Sequence, residues 1–199
     1  AGAFVGSLSG ILKAYRNVNE VISGIMLNWI MLYLVNTLLG AVKEPTSNYT
    51  YAITKMLDPA GNGTVAHLGA VLPSLGLQNI FSNNKYVGLA LPLAVFAAAW
   101  VWVVLNITKL GYELRATGLN KNAATYSGMD AHANVILAMG ISGGLAGLGA
   151  AMLYLTGIQQ WSVTLSSVPA MGFNGIAAAF LGGLNPIGAI FSSFFIQHI

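Results

Sequence analysis

The chain has 199 residues, 56% of them hydrophobic and only 7% charged, with a formal net charge of +3 and no cysteine. An ordinary soluble domain carries about 25% charged residues, so this sequence lacks the polar cover that a water-exposed globule of its size needs. The missing cysteines exclude a disulfide framework, a thiolate nucleophile and a cysteine metal site, and the thin spread of eight basic residues offers no run that could track a nucleic-acid backbone.

In chain order, Ala1 to Leu12 ("AGAFVGSLSGIL") is apolar but too short to cross a bilayer alone. The chain opens there without an initiating Met or a signal-type basic region and stops at "FFIQHI". The expectation is an internal piece of a longer membrane protein. Val21 to Gly40 makes a first full span. Ala41 to Lys85, with "EPTSNYTY", "DPAGNGT" and the short apolar piece His67 to Leu77, reads as an external segment. Tyr86 to Thr108 carries no charge over about 23 residues, enough at 1.5 Å per residue to cross about 30 Å of hydrocarbon. Residues 109–132 form a polar loop. From Ala133 to Gln197 there is again no Asp, Glu, Lys or Arg, which predicts spans near Asn134 to Leu155 and Gly175 to Phe195. Between them, Thr156 to Gly175 reads as an interfacial or re-entrant connection. The fold class expected is all-α: a polytopic transmembrane helical bundle with a short cytoplasmic helix and room for re-entrant segments.

Basic residues set the orientation. One side of the membrane would carry Lys13, Arg16, Lys109, Arg115 and Lys121, and the other Lys43, Lys55 and Lys85, which favours the first side as cytoplasmic. Small residues recur one helical turn apart at Gly2, Gly6 and Gly10, at Gly140 and Gly144, at Gly143 and Gly147, and at Ser142, Ala146 and Ala150. Such spacing lets helix backbones approach closely, where dispersion replaces the hydrophobic drive that lipid removes. Close packing without any moving part accounts for it, and helices that slide on one another are compatible with it as well.

Polar residues inside apolar runs are the candidates for chemistry. Glu20 stands at the entrance of the first span, where the helix dipole favours a carboxylate, so it reads as a helix-end residue rather than a proton carrier. Asn28 and Asn36, eight residues apart, either line a substrate path or hydrogen-bond across helices. Asn185-Pro186 interrupts the last predicted span and either borders a substrate path or marks a local kink. Catalysis finds little support. Asp58 and Asp130 both fall in polar loops, His67, His132 and His198 lie at span boundaries without a metal-ligand cluster, and no Gly-rich loop carries a P-loop lysine. No cofactor is expected.

The polar loop contains "GYELRATGLNKNAATYSGMD" (Gly111 to Asp130). Asn120 can cap a short helix through "KNAATYS", Ala123 and Ala124 leave one side smooth, and Gly128 supplies a stop. Glu113 and Arg115 precede it with opposite charges, and Gly118 and Gly128 flank it. Physics alone leaves two readings open: an element gripped by another protein, or an ordinary interhelical loop.

The stretch "GYELRATGLNKNAATYSGMDAHANVILAMGISGGLAGLGAAM" resembles the cytoplasmic coupling loop and following span of ABC-importer permeases of the branched-chain amino acid, ribose and nucleoside class. "NEVISGIMLNWI" and "GFNGIAAAFLGGLNPIGAIF" are similar to segments of the nucleoside-type members, which work with a lipoprotein receptor of the Bmp/Med type. The resemblance runs over nearly the whole chain. It implies that Glu113, Arg115, Gly118, Asn120, Ala123, Ala124 and Gly128 belong to an element that docks on a cytoplasmic ATP-binding subunit, which performs hydrolysis. It further implies a second permease subunit, an extracytoplasmic substrate-binding lipoprotein, a small-molecule substrate, and a lipid environment in a bacterial plasma membrane. The rivals are a sugar or branched-chain amino acid importer of the same class, and a gradient-driven secondary transporter. The last needs a titratable group in the membrane, for which only Glu20 comes near.

Overall fold

A backbone in hydrocarbon has to satisfy its own hydrogen bonds, so long uncharged runs become helices. The computed structural model describes residues 1–41, 56–57, 64–65, 89–155, 161–169 and 171–198. Its elements are α1 (Gly2–Arg16), α2 (Glu20–Gly40), β1 (Met56–Leu57), β2 (Thr64–Val65), α3 (Ala90–Ile107), α4 (Lys109–Leu119), α5 (Lys121–Tyr126), α6 (Ala131–Tyr154), α7 (Met171–Leu181) and α8 (Pro186–Gln197). The described residues are helical apart from irregular connections and a two-residue antiparallel ladder, in which Met56 pairs with Val65 and Leu57 with Thr64. The rest of the predicted external segment, His67 to Leu77 included, lies outside the described residues.

Three helices, α2, α3 and α6, are long and apolar enough to cross a membrane. They match the spans predicted from Val21, Tyr86 and Asn134 to within a few residues. Their apolar side chains are largely exposed on all sides, as suits helices solvated by lipid or by further helices rather than by water.

The fourth predicted span is corrected. Gly175 to Phe195 is not one helix: α7 and α8 have 11 and 12 residues and fold back on each other. Neither reaches across about 30 Å at 1.5 Å per residue. The reversal is made by Gly183 (φ 66°) in the left-handed region, with Leu184 N–H on Ala179 O (2.9 Å) and Gly183 N–H on Phe180 O (3.0 Å), a Schellman end. Asn185 Oδ1 then accepts from Ile187 N–H (3.0 Å), and Pro186 opens α8 where its missing N–H costs nothing. A methyl on Gly188 would collide with the Gly182 carbonyl, and Ser192 Oγ donates to Ala178 O (2.5 Å), so the two arms close tightly.

By compactness the chain divides into two units. One comprises Ala1–Gly24, Leu93–Gly144 and Pro169–Ile199, and the other Ile25–Pro92 and Leu145–Val168. In the first, α1 lies against the start of α6 at backbone distance: a methyl on Gly6 would strike Met139 O, one on Gly143 would strike Gly2 O, and one on Gly10 would come 2.9 Å from Ile136 Cα. The four-residue glycine spacing is thus spent on packing these two helices together. Ser9 Oγ and Ser23 Oγ (3.1 Å) and the Lys13 Nζ–Glu20 Oε2 pair (2.5 Å) join α1 to the beginning of α2. In the second unit, Asn36 Nδ2 donates to Leu165 O (2.8 Å), Trp161 Nε1 donates to Asn36 Oδ1 (2.8 Å), and Tyr154 meets Trp161 edge-on.

Candidate functional site

The polar loop is more structured than a linker. Thr108 ends α3 by donating to Val104 O (2.6 Å) and begins α4 by accepting from Gly111 N–H (3.2 Å). The chain turns so sharply there that a methyl on Gly111 would strike the carbonyls of Val104 and Leu105. Arg115 Nη2 reaches Asn106 Oδ1 (2.8 Å) on α3, and Glu113 pairs with Lys109 one turn back (3.6 Å). Both charged residues predicted for docking therefore lie on α4, engaged within the chain. That helix was missed in the sequence, where the glycines at 111 and 118 read as loop.

Asn120 caps α5 as expected, its Oδ1 accepting from the N–H groups of Asn122 and Ala123 (both 3.1 Å). The helix closes at Gly128 (φ 81°) with Met129 N–H on Ala124 O and Gly128 N–H on Thr125 O (both 3.0 Å). Asp130 Oδ1 caps α6 by accepting from His132 N–H (3.0 Å) and Ala133 N–H (3.1 Å). Ala124 is 3% exposed, so its methyl faces the chain itself; Ala123 and Gly118 are open, and no atom lies within 4 Å of a methyl placed on Gly118.

Two large apolar side chains bracket α5 in the open: Leu119, 89% exposed, just before its cap, and Tyr126, 93% exposed, at its last turn. Neither side chain is covered by the rest of the described chain, so both are available to a partner. Sequence reasoning passed over both. Their signal was present, since each stands alone among polar neighbours in "GLNKNAATYSG".

Beneath the loop, Thr117 Oγ1 donates to Glu113 O (2.8 Å) and accepts from Asn134 Nδ2 (3.0 Å), with both side chains buried. A cavity of about 210 Å³ opens beside this bond, lined in part by Lys13, Glu20, Gly118 and Met139. Among the described residues no group of His, Asp and Glu is arranged to hold a metal.

All three candidates for a substrate path lie among the described residues. Asn185 is the cap of α8, Asn36 is committed to Trp161 and Leu165, and Asn28 is exposed on α2.

The profile of the family described as "Branched-chain amino acid transport system / permease component" matches residues 1–199. The chain belongs to this permease family. Over 194 residues the permease chain is 33% identical to the "Nucleoside ABC transporter permease protein NupB" of Lactococcus lactis subsp. cremoris (strain MG1363), covering 96% of this chain and 50% of that protein. It is 35% identical over 193 residues to the "Guanosine ABC transporter permease protein NupP" of Bacillus subtilis (strain 168), covering 97% and 51%. It is 28% identical over 197 residues to the "Galactose/methyl galactoside import permease protein MglC" of Escherichia coli (strain K12), covering 95% and 50%. The chain thus spans about half the length of these curated relatives. No solved structure matches it. With its three long apolar helices, this chain of the permease family is a multi-pass membrane protein.

Proposed function

We propose that this chain is part of the permease subunit of an ATP-binding-cassette importer that carries nucleosides across a bacterial plasma membrane, and that residues 109–132 are its contact with the ATPase. The observation that carries the reading is the loop itself: a short helix capped at both ends, with Tyr126 on its last turn and Leu119 just before it, and tied by Thr108, Arg115 and Asp130 to the spans on either side. A surface built in this way can be held by a partner and can pass a displacement to α3 and α6. Nucleotide hydrolysis then belongs to the partner subunit, and this chain supplies a route that changes its accessible side. A second permease subunit completes that route, and an extracytoplasmic lipoprotein delivers substrate. The names of two relatives, with nucleoside and guanosine specificity, support the nucleoside reading over the sugar one.

The test is uptake of radiolabelled guanosine by the full-length subunit, assembled with its ATPase, receptor and partner permease in proteoliposomes. Saturable uptake that requires ATP in the compartment facing the ATPase supports the proposal. ATP-dependent uptake of galactose but not guanosine moves the substrate to sugars, as the similarity to the galactoside permease allows. Uptake that ignores ATP and collapses with the ion gradient overturns the mechanism.

A further inference from the structure

Resting on the coupling role just proposed, we infer that Thr117 and Asn134 are the positioning residues that make the loop, the start of α6 and all of α1 one rigid lever, so that a push on α5 is delivered to α1. Helix α5 alone is a poor transmitter of load, because it has only six residues and buries one side chain, Ala124. What stiffens it is on α4. Asn134 sits one turn into α6 and is 5% exposed; Thr117, near the end of α4, is 7% exposed. Their side chains meet at 3.0 Å, and the Thr117 hydroxyl donates its own hydrogen bond to Glu113 O, so the amide, hydroxyl and carbonyl form a fixed chain of donors and acceptors. A largely buried polar pair of this kind is directional, and separating it leaves the Asn134 amide without its protein partner.

The second half of the lever is the contact of α6 with α1. Two turns beyond Asn134, the backbones of Gly6, Met139, Gly143 and Gly2 are so close that no side chain can intervene, and Ser7 Oγ would meet a methyl placed on Gly140 at 2.7 Å. Packed interiors shift between discrete arrangements rather than shearing by fractions of an ångström. Helix α1 therefore travels with α6. The Ser9–Ser23 hydrogen bond and the Lys13–Glu20 pair then carry the displacement to the first turns of α2. Helix α1 is far from the loop in sequence, and Tyr15 near its end stacks on His132 at the start of α6 with ring centroids 5.6 Å apart.

The experiment uses the full-length subunit in its complex, in liposomes, with nitroxide labels on Leu8→Cys in α1 and Lys121→Cys in α5; the 199 residues contain no competing cysteine. Pulsed electron–electron resonance should give one narrow distance that is the same with and without nucleotide. Thr117→Val should at least double the width of that distribution, and Thr117→Ser should restore it. A wild-type distance that shifts with nucleotide, or a Thr117→Val distribution as narrow as wild type, overturns the inference. These widths need neither ATP nor substrate, so they decide the lever even if the wild-type complex fails to import guanosine, a result that would sink only the function proposed above. In a transporting complex, Thr117→Val should lower uptake per ATP hydrolysed about tenfold, as expected for an unpaired buried amide. Should Thr117→Val not assemble, a Thr117→Cys/Asn134→Cys disulfide takes its place. Locked complexes should retain ATP-driven uptake, and inactivity reversed by a reductant would show that the bond must open and overturn the lever.

Discussion

The turn from α5 to α6 and the turn from α7 to α8 follow one grammar: a left-handed glycine closes a Schellman end, and an Asx side chain two residues later caps the next helix. In the loop these are Gly128 and Asp130; in the hairpin they are Gly183 and Asn185. What differs is the surroundings. Beside Gly183, the glycines at 182 and 188 and the Ser192–Ala178 hydrogen bond bring the two arms into backbone contact. Beside Gly128, α5 is left standing in the open with Tyr126 outward, and the anchoring contact is made by α4 through Thr117. The caps differ in charge for the same reason. Asp130 lies in a polar loop that can solvate a carboxylate, whereas Asn185 does the same job among apolar neighbours without one. Turn chemistry sets that the chain reverses, and the size and polarity of the flanking residues set whether the reversal is closed on itself or available to a partner.

The comparison breaks most sharply at the hairpin's closest approach. Gly188→Val should prevent closure and cost about 3 kcal/mol by overpacking, seen as loss of the folded subunit in thermal unfolding followed by size-exclusion chromatography. Gly118→Leu, on an open site, should leave that stability unchanged while weakening the ATPase contact. Exchanging the caps sharpens the contrast. Asn185→Asp should destabilise by about 2.5 kcal/mol, near the cost of a charge in an apolar span, while Asp130→Asn should stay within about 0.5 kcal/mol because both residues cap well. Thermal midpoints of the two variants in the same detergent decide this. Next, the double variant Leu119→Ala/Tyr126→Ala should lose about 2 kcal/mol of ATPase binding, roughly 30-fold in Kd, without altering stability. A binding titration with the purified ATPase reads it. The smallest effect is expected at Glu20→Gln. Its partner Lys13 is partly solvated, such pairs contribute about 0–1 kcal/mol, and ATP-dependent uptake should persist close to the wild-type rate.

Most helix positions were legible because a run free of charge over a bilayer's length is rarely anything but a membrane span. Asn120 as a cap and Gly128 as a stop were legible because each is a local device contained in a few residues. The hairpin was not. Asn185-Pro186 announces an interruption, but whether a chain kinks or reverses depends on Gly182 meeting Gly188 across the turn, which periodicity cannot display. Helix α4 was hidden because Gly111, usually a helix breaker, is required by the tight approach to Val104 and Leu105. Thr117 and Asn134 are 17 residues apart and belong to no motif. The hydrogen bonds of Asn36, for which the sequence left a path-lining and a helix-bridging reading open, were hidden for a similar reason, since its partners Trp161 and Leu165 are far away in sequence.

The most direct measurement places a photo-crosslinking amino acid at Tyr126 in one full-length subunit and at Phe180, a bare aromatic on the hairpin, in another, each assembled with the ATPase in membranes. The account predicts a covalent adduct between position 126 and the ATPase, with none from position 180. An ATPase adduct from position 180 and none from 126 would contradict it, and would place the coupling surface on the hairpin instead of the loop.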